Sequence, residues 1–183
     1  LYVSSTNQTF IDHFRLMADE FIKDFDLNEK SFVVDIGSND GVFLSPLKEK
    51  GLNVLGVDPA KNLVDLANAN GLETIQGYFD HKIAKEILES KGKADLVTAF
   101  NVFAHADDLR SIIKNAFKIL RDDGTFIIEV QYLMDTIKDL TFDNIYHEHV
   151  NYWSVDSLNY FANSLDLKLI KVEHIETHGG SIR

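Results

Sequence analysis

Phe32-Val-Val-Asp-Ile-Gly-Ser-Asn-Asp-Gly41 is the stretch from which the fold follows. Phe32, Val33, Val34 and Ile36 read as a short buried strand, interrupted only by Asp35. Gly37 and Gly41 follow with small polar residues between them, and Val42, Phe43 and Leu44 then open an apolar helix. A strand that ends in glycine where a helix begins is a binding turn of the nucleotide type. Without a Cβ the backbone turns tightly and a ligand can lie against it.

Working outward, Phe10, Phe14, Met17, Phe21 and Phe25 recur at spacings of three and four, so residues 9–25 predict an amphipathic helix. Pro46 predicts an irregular or late start for the helix after the glycine turn, and Gly51 ends it. Residues 53–58 predict a second strand, stopped by Pro59. A helix over 61–70 then turns Leu63, Leu66 and Ala67 inward, and 72–76 is a short third strand. Ile83, Ile87 and Leu88 mark the next helix. Residues 94–101 are a fourth strand, and a helix over 107–120 puts Leu109, Ile112, Ile113, Ala116, Phe117 and Leu120 on one side. Asp123-Gly124 then predicts a turn into a fifth strand at 125–130. Five alternations of strand and helix predict an α/β fold with a doubly wound, mostly parallel sheet.

The alternation breaks at 131–153, which is rich in aromatics, histidine and acids and shows no period; an irregular stretch of that length is usually functional. Ser154 predicts the N-cap of a helix over 155–165, residues 167–174 a sixth strand, and 181–183 the start of a seventh. The 183 residues predict a single domain: a leading segment and helix over 1–25, a cofactor-binding core over 32–130, a catalytic loop over 131–153, and a helix with closing strands over 154–183. The opening at Leu1 and the unfinished last strand read as a piece of a longer polypeptide.

The net charge of −11 disfavours nucleic acid as a partner. No apolar run approaches the roughly 18 residues that span a bilayer, so no membrane role is expected and the cytoplasm is the default compartment. With no cysteine there is neither a disulfide framework nor a thiolate metal site.

Two ligand classes fit the glycine turn. A dinucleotide wants G-x-G-x-x-G, but the matching positions here are Gly37, Asn39 and Val42. S-adenosylmethionine carries no pyrophosphate and suits the looser turn. Asp35 would lie near its methionine end, with Gly37, Ser38, Asn39 and Gly41 around it. Asp58, at the tip of the second strand and followed by Pro59, would accept the ribose hydroxyls; the same acid serves NAD, and a turn aspartate before Pro59 is the plain structural reading. Downstream, Tyr146, His147, Glu148 and His149 gather a phenol, two imidazoles and a carboxylate within four residues. That set suits proton transfer near neutral pH. A metal site built on His147 and His149, or a purely structural turn, are the other readings.

The segments V-V-D-I-G-S-N-D-G, G-V-D-P-A and N-V-F-A-H together resemble class I methyltransferases, with their Rossmann-like fold. The resemblance implies S-adenosylmethionine as cofactor and S-adenosylhomocysteine as product. It places the adenine near Gly77, Tyr78 and Phe79, with Asn101, Phe103 and His105 flanking the cofactor. The aromatic-Ser-Ser opening at Tyr2, H-F-R-L-M-A, E-V-Q-Y-L, F-D-N-I-Y-H-E-H-V-N-Y-W-S and the closing H-G-G-S-I-R resemble more narrowly the sugar C-methyltransferases. These enzymes methylate the carbon beside the ketone of nucleotide-linked 4-keto-deoxysugars. The resemblance implies a nucleotide-sugar substrate, with His149 as the base and Tyr146, Glu148 and His147 positioning the sugar or stabilising the enolate. Tyr2 would present a second phenol, and no metal is required. It also implies a zinc-binding segment before this region and a C-terminal domain after it, neither of which lies in these residues, and a last strand cut short. In that fold the seventh strand inserts between the fifth and the sixth, so the short final segment predicts a poorly filled slot there.

Overall fold

The computed structural model describes residues 8–176 and 180–183. Tyr2, and His178 and Gly179 of the closing motif, lie outside the described residues. The helices are α1 Gln8–Asp24, α2 Leu44–Glu49, α3 Lys61–Ala69, α4 His81–Ser90, α5 Leu109–Ile119, α6 Leu133–Lys138 and α7 Val155–Asn163. The strands are β1 Phe32–Ile36, β2 Asn53–Asp58, β3 Thr74–Gln76, β4 Ala94–Phe100, β5 Leu120–Gln131, β6 His174–Ile175 and β7 Ser181–Ile182, and they form one sheet in the order β3-β2-β1-β4-β5-β7-β6. β1 runs parallel to β2 and β2 to β3, whereas β7 is antiparallel to both β5 and β6. The expected doubly wound α/β sheet is present, with the last strand between the fifth and sixth.

The described residues divide into two units, one of residues 8–98 with 111–126, the other of 99–110 with 127–176 and 180–183; β4 and β5 each begin in the first and end in the second.

In the first unit every residue of β1 is buried, as its apolar run predicts. α2 begins late, at Leu44, with Pro46 in its first turn where a missing N–H costs nothing. Phe43, fully buried just before it, meets the rings of Phe14 and Phe21 from α1 at 6.0 and 5.9 Å. Burying a phenylalanine of this kind contributes about 1.5–3 kcal/mol, so the amphipathic face of α1 fixes the element next to the glycine turn. Gly56, in mid-β2, has no room for a side chain, since a Cβ there would collide with the Ser38 hydroxyl and lie 2.8 Å from Thr74 Oγ1.

Several local expectations fail for identifiable reasons. In α3, Val64 is buried in place of Leu66, which is exposed. Phe117 of α5 is also exposed, with its ring edge-on to Phe126 at 6.1 Å. Asp123-Gly124 does bend the chain, although residues 120–131 carry one strand assignment: a Cβ at 124 would lie 2.8 Å from Leu120 Cγ, where four extended residues would separate the two by roughly 13 Å. The glycine also serves close approach, because a Cβ at 124 would sit 3.0 Å from the Asp95 carbonyl of β4. Arg121 is paired with Asp95, whose other oxygen accepts the Phe32 N–H at 2.7 Å.

In the second unit the expected irregular stretch contains α6 and a 3₁₀ turn at Phe142–Asn144. The sixth strand is two residues long rather than eight. A strand needs a paired neighbour, and β7 offers partners only to His174 and Ile175, with Glu173 and Arg183 exchanging both backbone bonds beside them. Ile170 and Val172, ahead of this pairing, stand exposed. On its other side β7 covers only Val130 and Gln131 of the much longer β5.

Ser154 caps α7 as expected, through a reciprocal box in which its hydroxyl accepts the Ser157 N–H at 3.1 Å and the Ser157 hydroxyl accepts the Ser154 N–H at 2.9 Å. Ser154→Ala is expected to lower unfolding free energy by about 1 kcal/mol, read from the urea midpoint. An unchanged midpoint would remove the cap from the stability of this helix.

Candidate active site

The expected site residues fall into two groups, one in each unit. In the first, Gly37, Asn39 and Gly41 all take positive φ, at 71°, 53° and 83°, so the chain leaves β1 in a left-handed zigzag. The Gly37 and Ser38 N–H groups donate to the Val57 carbonyl at 2.8 and 3.2 Å, and Gly41 N–H donates to Ser38 at 2.9 Å. Asp58 fixes the next turn: its carboxylate accepts the N–H of Asn39 at 2.9 Å and of Ala60 at 2.8 Å. A carboxylate has about four lone-pair sites, so those two bonds leave it acceptor capacity for a hydroxyl. The structural role of a turn aspartate therefore does not use up the side chain.

Asp35 is buried and accepts the Thr98 hydroxyl at 2.7 Å. Burial pushes its carboxyl up to about 7; the Thr98 bond opposes this and the nearby Asp58 charge adds to it. The end of β1 thus holds an acid poised to change charge at neutral pH, which suits a cationic ligand group. Beyond β3, a Cβ at Gly77 would lie 2.7 Å from Ile83 Cδ1. Pro59 and Tyr78 are exposed, whereas Phe79 is buried.

In the second unit, β4 ends at Phe100 and Asn101 takes φ 57°, its N–H donating to the Glu129 carbonyl at 2.7 Å. Phe103 was expected to flank the cofactor, but its ring is fully buried, 6.4 Å from Trp153, whose Nε1–H donates to the Phe103 carbonyl. That ring belongs to packing, and a ligand would meet only its backbone. The Ala104 carbonyl accepts the N–H of Val150 at 2.8 Å and of Asn151 at 3.2 Å, which brings 146–151 beside 101–106.

His149 is 7% exposed and Tyr146 is 42% exposed. His149 Nδ1 lies 2.9 Å from the Asn144 carbonyl, and Nε2 lies 2.9 Å from the Tyr146 hydroxyl. A carbonyl only accepts, so Nδ1 carries the proton and Nε2 offers its lone pair to the phenol. Burial holds the imidazole below its ordinary value; His105 lowers it further, while the Asn144 carbonyl and Glu148 oppose. Burial chiefly, with Glu148 and Tyr152, raises the Tyr146 phenol. The pair is a neutral base behind a phenol. His105 joins it: its Nδ1–H donates to the Glu148 carbonyl at 2.9 Å, and its ring meets that of His149 edge-on at 4.7 Å. His147 and the Glu148 carboxylate point outward and are largely exposed, so the H-x-H pair is split, one ring out and one in. Among the described residues no three His, Cys, Asp or Glu cluster to hold a metal ion.

A family profile described as a methyltransferase domain matches residues 10–172. The chain belongs to this methyltransferase family. This methyltransferase chain is 38% identical, over 99% of its length, to the C-methyltransferase NovU of Streptomyces niveus, of which it spans 43%. It is 26% identical to a ubiquinone biosynthesis O-methyltransferase of Pelagibacter ubique, over 76% of this chain and 60% of that one. Its fold is similar to the crystal structure of a SAM-dependent methyltransferase from Archaeoglobus fulgidus, at a TM-score of 0.68 and 19% identity, covering 89% of this chain and 73% of that one. No described helix is long and apolar enough to cross a membrane.

One group beside His149 carries no residue-type signal: the Asn144 carbonyl makes its contact through the backbone. His105, expected to flank the cofactor, has its ring against that of His149.

Proposed function

We propose that the protein containing this chain uses S-adenosylmethionine to methylate the carbon beside the ketone of a nucleotide-activated deoxysugar, through a base-generated enolate. The observation that carries the reading is His149, its Nδ1–H fixed on the Asn144 carbonyl and its Nε2 turned to the Tyr146 phenol. Methylating oxygen needs little more than a deprotonated hydroxyl, whereas a carbon nucleophile must first lose a C–H proton that only a neighbouring carbonyl makes acidic. Similarity to a C-methyltransferase over nearly the whole chain supports the same reaction type.

The residues of the first unit fit the donor. Gly37 and Gly41 supply the positive φ values of the turn, Asp35 offers a carboxyl to an ammonium group, and Asp58 has acceptor capacity for ribose. Bound S-adenosylmethionine supplies a sulfonium methyl that a carbon nucleophile can take. In the second unit Tyr146, the more exposed partner, meets the substrate. Its oxygen takes the carbon-bound proton as its own proton passes to His149 Nε2, and the C–H electron pair moves into the enolate. The two transfers are coupled, since a phenol with a raised pKa does not ionise first. His105 and Glu148 stand beside the imidazolium so formed.

Full-length protein given the donor and a nucleotide-linked 4-keto-deoxysugar is expected to yield a new methyl bonded to carbon, identified by NMR. In deuterated water without donor, the C–H beside the ketone is expected to exchange. A methyl ether product, or neither product nor exchange, overturns the reading.

The donor site has its own pH signature. Asp35 is largely protonated below about 7 and must ionise to face an ammonium group, so donor binding releases a proton and affinity rises with pH. Calorimetry is expected to show affinity falling roughly eightfold between about pH 7.5 and about pH 6, with Asp35→Asn abolishing the dependence. A flat wild-type profile would place the ammonium elsewhere.

A further inference from the structure

Residues 142–148 are exposed apart from Asn144, yet this segment must hold His149 in one orientation and one tautomer. Beyond its carbonyl on His149 Nδ1, Asn144 makes two side-chain bonds. Its Oδ1 accepts from Gln131 Nε2 at 3.1 Å, and its Nδ2 donates to Thr141 Oγ1 at 3.2 Å. The Asn144 N–H also donates to the Thr141 carbonyl at 3.1 Å, which closes the 3₁₀ turn. Gln131 is no loop residue: it ends β5 and is paired with Ser181 of β7. Four residues, Gln131, Asn144, His149 and Tyr146, thus stand in series from the sheet to the phenol.

We propose that Gln131 is a positioning residue for proton transfer, holding the Asn144 carbonyl where it fixes the His149 tautomer and leaves Nε2 for Tyr146. The inference rests on His149 as the proton acceptor proposed above. Its physical basis is that a carbonyl selects a tautomer only when it cannot move. Gln131 and Thr141 clamp both ends of the Asn144 amide, so its backbone has no freedom to swing its carbonyl away from Nδ1. Without the Gln131 amide the segment is tied to β5 at one point fewer, and Nδ1 and Nε2 compete for the proton. An Nε2–H imidazole cannot accept from Tyr146, and the pair stops being a base.

The test uses the full-length protein and the nitrogen-15 imidazole spectrum of His149, which needs no substrate. Wild type is expected to show one tautomer, Nδ1–H. Gln131→Leu is expected to show a mixture, and its turnover with a nucleotide-linked 4-keto-deoxysugar is expected to fall roughly ten- to hundredfold with the KM for the donor unchanged. Thr141→Val lies outside the sheet and removes the other end of the clamp; it is expected to move both readouts the same way by less, which keeps the test open if Gln131→Leu misfolds. A single Nδ1–H tautomer retained in both variants, or a wild type already mixed, overturns the proposal. If the tautomer shifts as expected while wild type leaves the keto sugar unmethylated, the clamp stands and the substrate reading falls.

Discussion

His149→Gln is expected to lower turnover by roughly 10²–10⁴ while leaving donor affinity intact. Glutamine has nearly the reach of the imidazole and could keep a bond to the Tyr146 hydroxyl, now 2.9 Å from Nε2, but it cannot take up a proton at any working pH. With the donor held by the first unit, as proposed, calorimetry is expected to return the wild-type affinity. Tyr146→Phe is expected to lose less, since a water molecule can stand where the hydroxyl stood and pass the proton on. The pH profile adds a sign. Burial keeps the imidazole below its ordinary value, so activity is expected to fall only on the acid side, as Nε2 becomes protonated and can no longer accept. Wild-type turnover in His149→Gln would end the acid–base account of the segment.

Arg183→Met is expected to cost about 3–5 kcal/mol of unfolding free energy, the second large effect. The Arg183 guanidinium donates from Nε and Nη2 to one oxygen of Glu129, at 3.0 and 2.9 Å, and both side chains are almost wholly buried, 7% and 2% exposed. Methionine keeps much of the volume and none of the charge, so the buried Glu129 carboxylate loses the guanidinium and both of its bonds. The Glu129 backbone also receives the Asn101 N–H at the left-handed end of β4, so the loss reaches the segment that leads to His105. Pairing Glu129→Met with Arg183→Met is expected to recover most of the stability, because a buried ion pair replaced as a unit by apolar groups is close to neutral. Equal urea midpoints for wild type and Arg183→Met would show the pair contributing nothing.

Much of this was legible in the sequence, for local reasons. β1 to β4 and α1 announce themselves by apolar runs and three-four spacing, and Ser154 by its place before a helical pattern. The failures have a common physical origin. Residues 167–173 alternate like a strand, but alternation describes a side-chain pattern while a strand needs a paired backbone, and β7 offers only two residues. Asp123-Gly124 reads as a turn because glycine permits one, and here the same glycine also permits β4 to come close. At the candidate site, residue types named Tyr146 and His149, since a phenol and an imidazole are rare enough together to be informative. They could not reveal that the Asn144 carbonyl sets the tautomer, nor that Phe103 turns into the core.

The collision that a side chain at Gly56 would have with Ser38 and Thr74 carries a consequence for how such chains diverge. Position 56 lies in mid-strand and touches no ligand in the reading above, yet its first neighbour is the hydroxyl in the middle of the glycine turn. Alanine at 56 is therefore tolerated only if position 38 shrinks with it. In a library randomised at 38, 56 and 74 together, surviving sequences should covary, with bulk gained at one position matched by bulk lost at another. Drift in the interior of β2 is thereby tied to the shape of the glycine turn, the proposed seat of the methyl donor.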